Sequence, residues 1–250
     1  MYLKLFIATS QHDLKGFSLL TFVLAEAALE TVPEELWSHP AVRCHSKRQR
    51  KPPERLLLDR SLHHAAMRRL KDNEKRGRPD ITHFVLLEAL GSPLNREGLL
   101  RVYVHTRNDY VIAVNPAARL PRNYVRFVGL IEQLFELGRV PSEGEVLLSL
   151  ERKTLQQLLS ETGTDYVLAF SRGGKPVSIH AAVSGLQTKR SPAVIVGGFP
   201  HGGFLESTSK LADEVVCVDA EMLDAWTVAS RIIYDYECIF GVSKKRLKTI

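Results

Sequence analysis

The 250-residue sequence has few cysteines and no long hydrophobic run. Its 3 cysteines lie far apart and form no CxxC pair, which argues against a disulfide framework and against a thiolate zinc site. No segment approaches the roughly 18 consecutive apolar residues that a membrane span needs, and the short apolar start lacks a cleavage pattern. These absences predict a soluble, cytoplasmic protein.

The motifs of common nucleotide-binding and covalent enzymes are also missing. There is no Walker sequence and no GxGxxG fingerprint, which argues against nucleoside triphosphates and dinucleotides as ligands. No GxSxG or Cys-His arrangement indicates covalent catalysis. The 9 histidines are scattered among few nearby carboxylates, so we expect no bound metal.

Positive charge is in excess and is clustered along the chain. The sequence has 34 Lys and Arg against 28 Asp and Glu, a formal net charge of +6, and much of the excess lies within residues 43–55 and 60–78. A single charged run is usually a solvated face, but two such clusters favour a polyanionic partner. We therefore expect RNA or DNA rather than a membrane surface.

Hydrophobic patterning predicts alternating strands and helices. Strands are expected at 19–25, 56–58, 100–105, 111–114, 166–170, 193–196 and 215–218, and helices at 26–37, 61–75, 80–91, 124–137, 154–160 and 222–240. The basic, proline-ended segment 40–53 is predicted to be a loop. Asp80 is expected to cap the helix that follows, with Phe84, Leu87 and Leu90 on its buried side. The alternation of predicted strands and helices along the chain indicates an α/β fold with a largely parallel sheet.

A glycine-rich turn follows the predicted strand at 193–196. Gly197, Gly198, Gly202 and Gly203 lie at the carboxyl end of that strand. Glycines allow a backbone to approach a ligand closely, and open α/β sheets bind ligands at this edge. A tight turn without any ligand would account for the same glycines equally well.

Three arginines follow the strand at 111–114 and enter the helix at 124–137. Arg119, Arg122 and Arg126 are spaced by three and four residues, which places them on one face once the helix begins. The planar guanidinium suits phosphate recognition. Each arginine alone could be an ordinary solvated side chain, but together they predict contacts to nucleic-acid phosphates.

The motifs RPDITH, SPLN and NPAARLPRNYVRFVGLIEQLF, in this order, resemble the Nep1/Emg1 family of ribosome-biogenesis proteins. That family consists of pseudouridine-N1 methyltransferases of the SPOUT class. The resemblance covers roughly residues 19–250 and leaves 1–18 as an N-terminal extension. It implies one α/β SPOUT domain with an insertion at about 40–80 and a C-terminal deep trefoil knot. It further implies S-adenosylmethionine as cofactor, small-subunit ribosomal RNA as substrate, a homodimer, and small-subunit ribosomal proteins as possible partners.

The resemblance also assigns residues to the site. Three loops of the knot would hold the cofactor through backbone groups, and the matching positions are Leu168, Gly197, Gly202, Val218, Asp219, Ala220, Glu221, Met222 and Leu223. Arg78, Arg119, Arg122 and Arg126 match the RNA-contacting pattern. A carboxylate could accept the proton that leaves the methylated nitrogen, and Asp80 is the candidate, although helix capping would account for it equally well. Arg78 would either neutralise a phosphate or steady the anionic base.

Two other functions stay open on the sequence. One is an RNA-binding ribosome assembly factor whose catalysis is secondary or absent, and the other is a SPOUT methyltransferase that acts on a different nucleoside. The last predicted helix carries Leu223, Trp226, Ile233 and Tyr234, which would either contribute to a dimer contact or be buried in the core.

Overall fold

The computed structural model describes residues 18–248, which build one sheet of eight strands covered by helices. The strands are β1 (Leu20–Ala27), β2 (Leu100–Thr106), β3 (Tyr110–Val114), β4 (Arg139–Val140), β5 (Leu148–Arg152), β6 (Tyr166–Pro176), β7 (Pro192–Gly197) and β8 (Glu214–Cys217). Their order across the sheet is β4-β5-β3-β2-β1-β7-β6-β8. Neighbours are parallel from β2 through β8 and antiparallel from β4 through β2. The predicted α/β fold with a largely parallel sheet is confirmed.

Helices connect the strands and cover both faces of the sheet. The α-helices are α1 (Pro40–Gln49), α2 (Arg60–Met67), α3 (Pro79–Gly91), α4 (Pro93–Arg96), α5 (Tyr124–Leu137), α6 (Leu155–Glu161), α7 (Ile179–Ser184), α8 (Glu206–Ser209), α9 (Ala225–Ile239) and α10 (Val242–Leu247). Short 3-10 turns lie at Glu34–Leu36, Pro53–Arg55, Asn73–Lys75 and Gly185–Thr188. Across residues 18–248, no helix has the length and apolar character that crossing a membrane requires. Of the predicted extension 1–18, only Ser18 is described, and its carbonyl accepts a hydrogen bond from the Tyr236 hydroxyl (2.8 Å).

Strand β1 is buried along its whole length because it supplies side chains to both faces of the sheet. Successive side chains of a strand point to opposite faces. Phe22 and Leu24 therefore pack with α3, α5 and α9 in the larger core cluster. Val23 and Ala25 pack with α6 in the second cluster on the other face. A third cluster holds α1 and α2 together.

Strongly patterned segments form the predicted elements. Helix α5 covers Tyr124–Leu137 as predicted, and the side chain of Asn123 caps it by accepting from the Arg126 N–H (3.1 Å). Phe127 of this helix has no exposed surface. The strands predicted at 100–105 and 111–114 are also confirmed, and they form an antiparallel hairpin in which Asp109 takes a left-handed conformation in the turn (φ 55°).

The predicted helix at 26–37 is wrong, because this segment bonds to a distant part of the chain. After β1 ends, the Val32 N–H donates to the Leu56 carbonyl (2.8 Å) and the Leu58 N–H donates to the Glu30 carbonyl (2.9 Å). Only the 3-10 turn Glu34–Leu36 is helical. The strand predicted at 56–58 is reduced to this pairing, within which Leu57 bridges Thr31.

The loop predicted at 40–53 is also wrong, because Pro40–Gln49 forms helix α1. Proline is well placed at the first position of a helix, and the His39 ring caps the helix by accepting from the Ala41 N–H (3.2 Å). The helix buries only Val42 and His45. So narrow an apolar stripe among basic residues is not visible as a helical period.

Three predictions about helix limits and caps need correction. The helix predicted at 61–75 stops at Met67, and Asp59 caps it by accepting from the Ser61 N–H (2.8 Å). Asp80 does not cap α3, since Arg78 occupies the cap position and Asp80 lies in the first turn. The helix starting at 222 in the prediction begins at Ala225.

The buried side of α3 is also different from the predicted one. Phe84 is 46% exposed, and Leu87 and Leu90 are only partly buried. The fully buried side chains are instead Val85 and its neighbours Leu86 and Ala89. The helix is apolar around most of its circumference, so spacing alone could not tell which side faces the core.

Strand β6 continues past its predicted end at Phe170 and bends around β8. Phe170 and Lys175 both pair with Val216, on either side of a register shift. A Cβ atom at Gly174 would lie 2.5 Å from the carbonyl carbon of Val216, so the bend requires glycine there. The trefoil knot expected in this third of the chain stays a prediction.

Candidate functional site

A cavity of about 350 Å³ opens where β7 and β8 end and β6 bends. Its walls come from three stretches of chain, within 170–172, 196–204 and 217–228, and from Arg78 and Ile81 at the start of α3. This volume lies in the range of small-molecule pockets. The position is the edge at which open α/β sheets bind ligands.

Most residues predicted to contact a cofactor come together in this cavity. Its lining includes Gly197, Gly202, Val218, Asp219, Glu221, Met222 and Leu223. Leu168 does not line it, because β6 runs on beyond this residue and buries it within the sheet. The stretch of β6 that lines the cavity is instead 170–172, just beyond Leu168. Ala220 is exposed and also lies outside the lining.

The glycine turn is attached tightly to the end of β1. The Gly198 N–H donates to the Ala25 carbonyl (2.8 Å), and the Gly198 carbonyl accepts from the Ala28 N–H (2.8 Å). A Cβ atom at Gly198 would lie 2.7 Å from the Cα atom of Ala27. Because backbone cannot give way as a flexible side chain can, this position requires glycine. The turn from Gly197 therefore leaves the sheet at a defined angle, along the cavity wall.

The third wall is a short loop that carries carboxylates. The Asp219 carboxylate accepts from the Glu221 N–H (2.9 Å), and the Cys217 thiol donates to the Asp219 carbonyl (3.2 Å). Asp224 occupies the cap position of α9 but makes no capping hydrogen bond with its side chain. Carboxylates at such a wall can accept hydrogen bonds from hydroxyl and amino groups of a ligand.

Arg78 and Asp80 form a two-pronged ion pair at the rim of the cavity. Arg78 Nε donates to Asp80 Oδ1 (2.8 Å) and Nη2 donates to Oδ2 (2.7 Å). Hydrogen bonding to Asp80 raises the pKa of the Arg78 guanidinium against the opposing effect of burial, and the charge of Asp224 adds to the increase. Arg78 lines the cavity, whereas Asp80 does not. The pair thus presents the cation, and not the carboxylate, to a bound molecule.

The three predicted RNA-contacting arginines lie together before and at the start of α5. Arg119, Arg122 and Arg126 are exposed, and within residues 18–248 none of them makes an ion pair or a side-chain hydrogen bond. A hydrogen bond ties their segment to α3, because His83 Nε2 donates to the Pro121 carbonyl (2.7 Å). Rigid backbone with unpaired guanidinium groups is the arrangement that a phosphate backbone needs.

Helix α3 joins this basic surface to the cavity. The His83 ring stacks on Phe127 of α5, with ring centroids 4.2 Å apart. The Tyr124 hydroxyl donates to the Asp59 carboxylate (2.6 Å), and burial together with this bond raises the pKa of Tyr124. Arg78, at the start of α3, lines the cavity and is near enough to Tyr124 to interact with it electrostatically.

Sequence reasoning missed some residues of the cavity. Arg172 and Asp224 line it, and neither was proposed as a site residue. Extending the predicted strand 166–170 past Phe170 would have pointed to Arg172. Starting the last predicted helix at Ala225 would have left Asp224 in the loop before it. In the part of the chain that the structure describes, no group of His, Cys, Asp and Glu side chains is arranged to hold a metal ion.

The fold and site together define an α/β protein with a ligand-sized cavity at the ends of its parallel strands, beside a surface of exposed arginines. The particular family follows from comparison with known proteins. The chain belongs to the EMG1/NEP1 methyltransferase family, whose model matches residues 22–237. The resemblance noted in the sequence motifs is thereby confirmed.

Relatives and a solved structure agree with this assignment. The chain is 48% identical over 219 residues to the ribosomal RNA small subunit methyltransferase Nep1 of Thermococcus sibiricus, covering 88% of this chain and 98% of the relative. It is 47% identical over 225 residues to Nep1 of Pyrobaculum aerophilum, covering 89% and 100%. The crystal structure of Archaeoglobus fulgidus Nep1 bound to S-adenosylhomocysteine matches with a TM-score of 0.78 and 40% identity, over 90% of this chain and 99% of that one.

Proposed function

We propose that the protein methylates small-subunit ribosomal RNA at N1 of a pseudouridine, with S-adenosylmethionine as methyl donor. The observation that carries the proposal is the cavity at the ends of β7 and β8, open beside Arg78. Support comes from the relatives, which are ribosomal RNA small subunit methyltransferases, and from the A. fulgidus protein, which binds S-adenosylhomocysteine.

The cavity residues fit this cofactor. The turn from Gly197 and the loop from Val218 present backbone groups to the cavity, and Asp219 and Glu221 add carboxylates that can accept from hydroxyl groups. Phe199 and Trp226 supply aromatic surface. A mostly apolar pocket with a few placed polar groups is typical of small-molecule sites. The cofactor, when bound, supplies an electrophilic methyl group.

The basic surface would position the RNA. Arg119, Arg122 and Arg126 are exposed and unpaired within residues 18–248, so they are available to bind phosphates. α3 links this surface to the cavity rim, which would bring one nucleotide to the cavity mouth. Much of the rate increase in methyl transfer would come from holding acceptor and donor in line.

Arg78 would act on the target base, and Asp80 would act through Arg78. When N1 loses its proton, negative charge develops on the ring, and a cation held at the cavity rim stabilises it. Both Asp80 oxygens already accept from Arg78, which fixes the direction of the guanidinium. Asp80 is therefore a positioning residue here, and each of its oxygens keeps a further lone pair that could accept the proton leaving N1.

The protein would work as a homodimer. Phe84 of α3 is 46% exposed and Tyr234 of α9 is 64% exposed, and the Phe84 ring lies 5.1 Å from the Trp226 ring. Ile233 is buried and belongs to the core. Phe84 lies against Trp226, which lines the cavity, so a partner bound over Phe84 would also cover part of the cofactor site.

A second candidate function is RNA binding without catalysis, as an assembly factor. The exposed arginine surface would serve it as well as it serves an enzyme. Methylation of another nucleoside is also compatible with this surface, because phosphate contacts carry no base identity. In either case we expect the protein to act in the cytoplasm, with small-subunit ribosomal proteins as possible neighbours.

The test is transfer of labelled methyl groups to two matched RNA hairpins that carry uridine or pseudouridine at one loop position. Transfer to the pseudouridine hairpin alone supports the proposal, and transfer to the uridine hairpin favours another nucleoside. Val218→Trp, which fills the cavity, should abolish transfer and S-adenosylhomocysteine binding. Leu247→Trp, at a 70% exposed position of α10, is the control. Tight RNA binding without cofactor binding would favour the assembly factor.

A further inference from the structure

An unusual residue stands at the end of β1, next to the glycine turn. Between Leu24 and Ala27 the pairing with β2 shifts register, so that β1 contains one extra residue. Within this bulge Glu26 takes a left-handed conformation, with φ 51°. Residues other than glycine and asparagine rarely adopt it. Bulges are frequent beside functional sites, where they redirect a side chain.

A histidine of β2 supports the bulge through a hydrogen bond. The Glu26 N–H, which the register shift leaves without a partner in the ladder, donates to His105 Nδ1 (3.4 Å). His105 Nε2 in turn donates to the Asp109 carboxylate (3.1 Å). The unusual backbone of Glu26 is therefore a supported feature of the fold.

The Glu26 carboxylate crosses to the far end of the glycine turn. The residue is only 4% exposed, and its Oε1 accepts from the Leu205 N–H (2.8 Å). Leu205 directly follows Phe204, which lines the cavity. A buried carboxylate needs partners to offset its desolvation, and a backbone N–H of the turn is one of them.

A lysine from the region of the predicted insertion holds the same turn from outside. Lys75 Nζ lies 3.9 Å from the Glu26 carboxylate, donates to the Gly203 carbonyl, and sits 4.5 Å from the centre of the Phe199 ring. Phe199 and Gly203 are both cavity-lining residues. Two side chains distant in sequence thus fasten the turn between Phe199 and Leu205.

We infer that Glu26 and Lys75 are positioning residues that hold the glycine turn in its cofactor-binding shape. The left-handed bulge aims the Glu26 carboxylate at Leu205, and Lys75 closes the turn from the other side. Neither residue lines the cavity, so they act through the turn. The inference rests on the proposed cofactor site, and it adds the part of the molecule that shapes that site.

The hydrogen bond can be removed from the Leu205 side with little other change. Leu205 has φ −61°, which proline adopts without strain, and its side chain is 55% exposed. Leu205→Pro removes two things: the N–H that donates to the Glu26 carboxylate, and side-chain atoms that are exposed. Leu205→Ala removes the same exposed atoms and keeps the N–H. The pair of variants therefore isolates one hydrogen bond.

The experiment measures S-adenosylhomocysteine affinity by calorimetry, with RNA affinity and thermal stability of the same samples. We expect Leu205→Pro to weaken cofactor affinity about tenfold, the effect of one charge-assisted hydrogen bond, while Leu205→Ala changes it less than about twofold. RNA affinity should stay near that of the wild type, whereas the melting temperature should fall in Leu205→Pro because the buried Glu26 carboxylate loses a partner, so cofactor affinity is measured well below that temperature. Equal cofactor affinity in Leu205→Pro and Leu205→Ala would overturn the inference.

Substitutions at Glu26 provide the second measurement. Glu26→Gly suits the left-handed backbone but loses the carboxylate, so it should fold and bind S-adenosylhomocysteine about tenfold more weakly. Glu26→Gln keeps an acceptor for Leu205 and should recover most of that loss. Arg50→Gly, at another left-handed residue (φ 53°), is the matched control. Wild-type affinity in Glu26→Gly would overturn the inference, and failure of the wild type to bind would instead overturn the proposed cofactor site.

Discussion

The guanidinium of Arg78 holds both carboxylate oxygens of Asp80, through bonds of 2.8 Å and 2.7 Å, while only the arginine reaches the cavity. The pair joins the cap residue of α3 to a residue of its first turn, two positions along the chain, so local sequence is sufficient to form it. Its consequence is that the carboxylate of the RPD motif sets the direction of a cation at the cavity rim.

Asp80→Asn should reduce methyl transfer far more than it reduces stability. The amide cannot hold both arms of the guanidinium, so we expect kcat to fall about tenfold or more, as for the loss of one preorganised electrostatic contact. An ion pair at a partly exposed position contributes at most about 1 kcal/mol to stability. Kinetics and chemical unfolding measure the two effects.

Glu97→Gln is the control for this prediction, because Glu97 is similarly exposed and pairs with Arg246 (2.8 Å) away from the cavity. An Asp80→Asn protein with normal kcat, or one whose activity falls only as far as its stability, would contradict the positioning role.

Arg122→Ala and Arg126→Ala should weaken RNA binding without changing cofactor affinity. Each removes an exposed guanidinium available to a phosphate, so we expect a loss of about tenfold and a salt-dependence slope lower by about 1. Fluorescence anisotropy over a range of salt concentrations measures both. Arg190→Ala, an exposed arginine before the amino end of β7, should behave as the wild type. Unchanged affinity in both test variants would remove this surface from the RNA site.

Gly174→Ala should destabilise the fold, whereas Gly173→Ala should not. A Cβ atom at Gly174 would lie 2.5 Å from the Val216 backbone, but at Gly173 it would meet nothing within 4 Å. Since β6 must then move away from β8, we expect a loss of about 1–3 kcal/mol. Urea unfolding measures the difference. Equal stability of the two variants would mean that β6 does not bend around β8 as described.

The free energy of unfolding should decrease as the pH falls, because His63 is buried. His63 Nδ1 accepts from the Asp59 N–H (3.1 Å), and Nε2 faces His45 Nδ1 at 3.0 Å. Burial first, and then His45, lowers the pKa of His63 from 6.5 to about 4. Between these two pH values the unfolded chain binds a proton at His63 that the folded chain does not. The contribution of this histidine to the free energy of unfolding is therefore fully present above about pH 6.5 and is lost as the pH falls toward 4.

The decline should amount to about 3 kcal/mol, and it should be smaller in His63→Gln. Thermal unfolding from pH 7 to pH 4 measures it, with His64→Gln, at the exposed neighbouring position, as control. The same decline in His63→Gln and in the wild type would show that other groups are responsible.

Tyr234→Asp should separate a dimer into monomers. A charge placed at this 64% exposed aromatic of α9 would be costly to bury against a partner. Size-exclusion chromatography with light scattering measures the mass, and Leu247→Asp on α10 is the control. An unchanged mass in Tyr234→Asp would exclude this surface as the interface.

The strongest sequence patterns were sufficient to locate elements and part of the site. Helix α5 has apolar side chains at regular helical spacing and a capping Asn123, and its limits were predicted to the residue. The glycines after β7 were recognised because glycines at the carboxyl end of a buried strand let a ligand approach the backbone at the sheet edge. Arg119, Arg122 and Arg126 were grouped by spacing alone, and the structure leaves all three exposed on one segment.

Segments with a weak or narrow apolar pattern were assigned the wrong secondary structure. Helix α1 is basic and buries only Val42 and His45, so its stability comes from packing on α2 and not from a visible apolar stripe. Segment 28–33 has helix-forming composition but bonds to 56–58 instead, across some 25 residues of chain. Propensity carries no information about so distant a partner.

By itself the sequence determined the α/β class, the family and the chemical character of the site, because these follow from local periodicity and from motifs of neighbouring residues. Tertiary structure alone decided which groups meet across the chain. Glu26 reaches Leu205 across 179 positions, and Lys75 reaches Gly203 across 128. Such contacts depend on how strands are ordered in the sheet and on a single bulge in β1, and neither leaves a trace in the local pattern of residues.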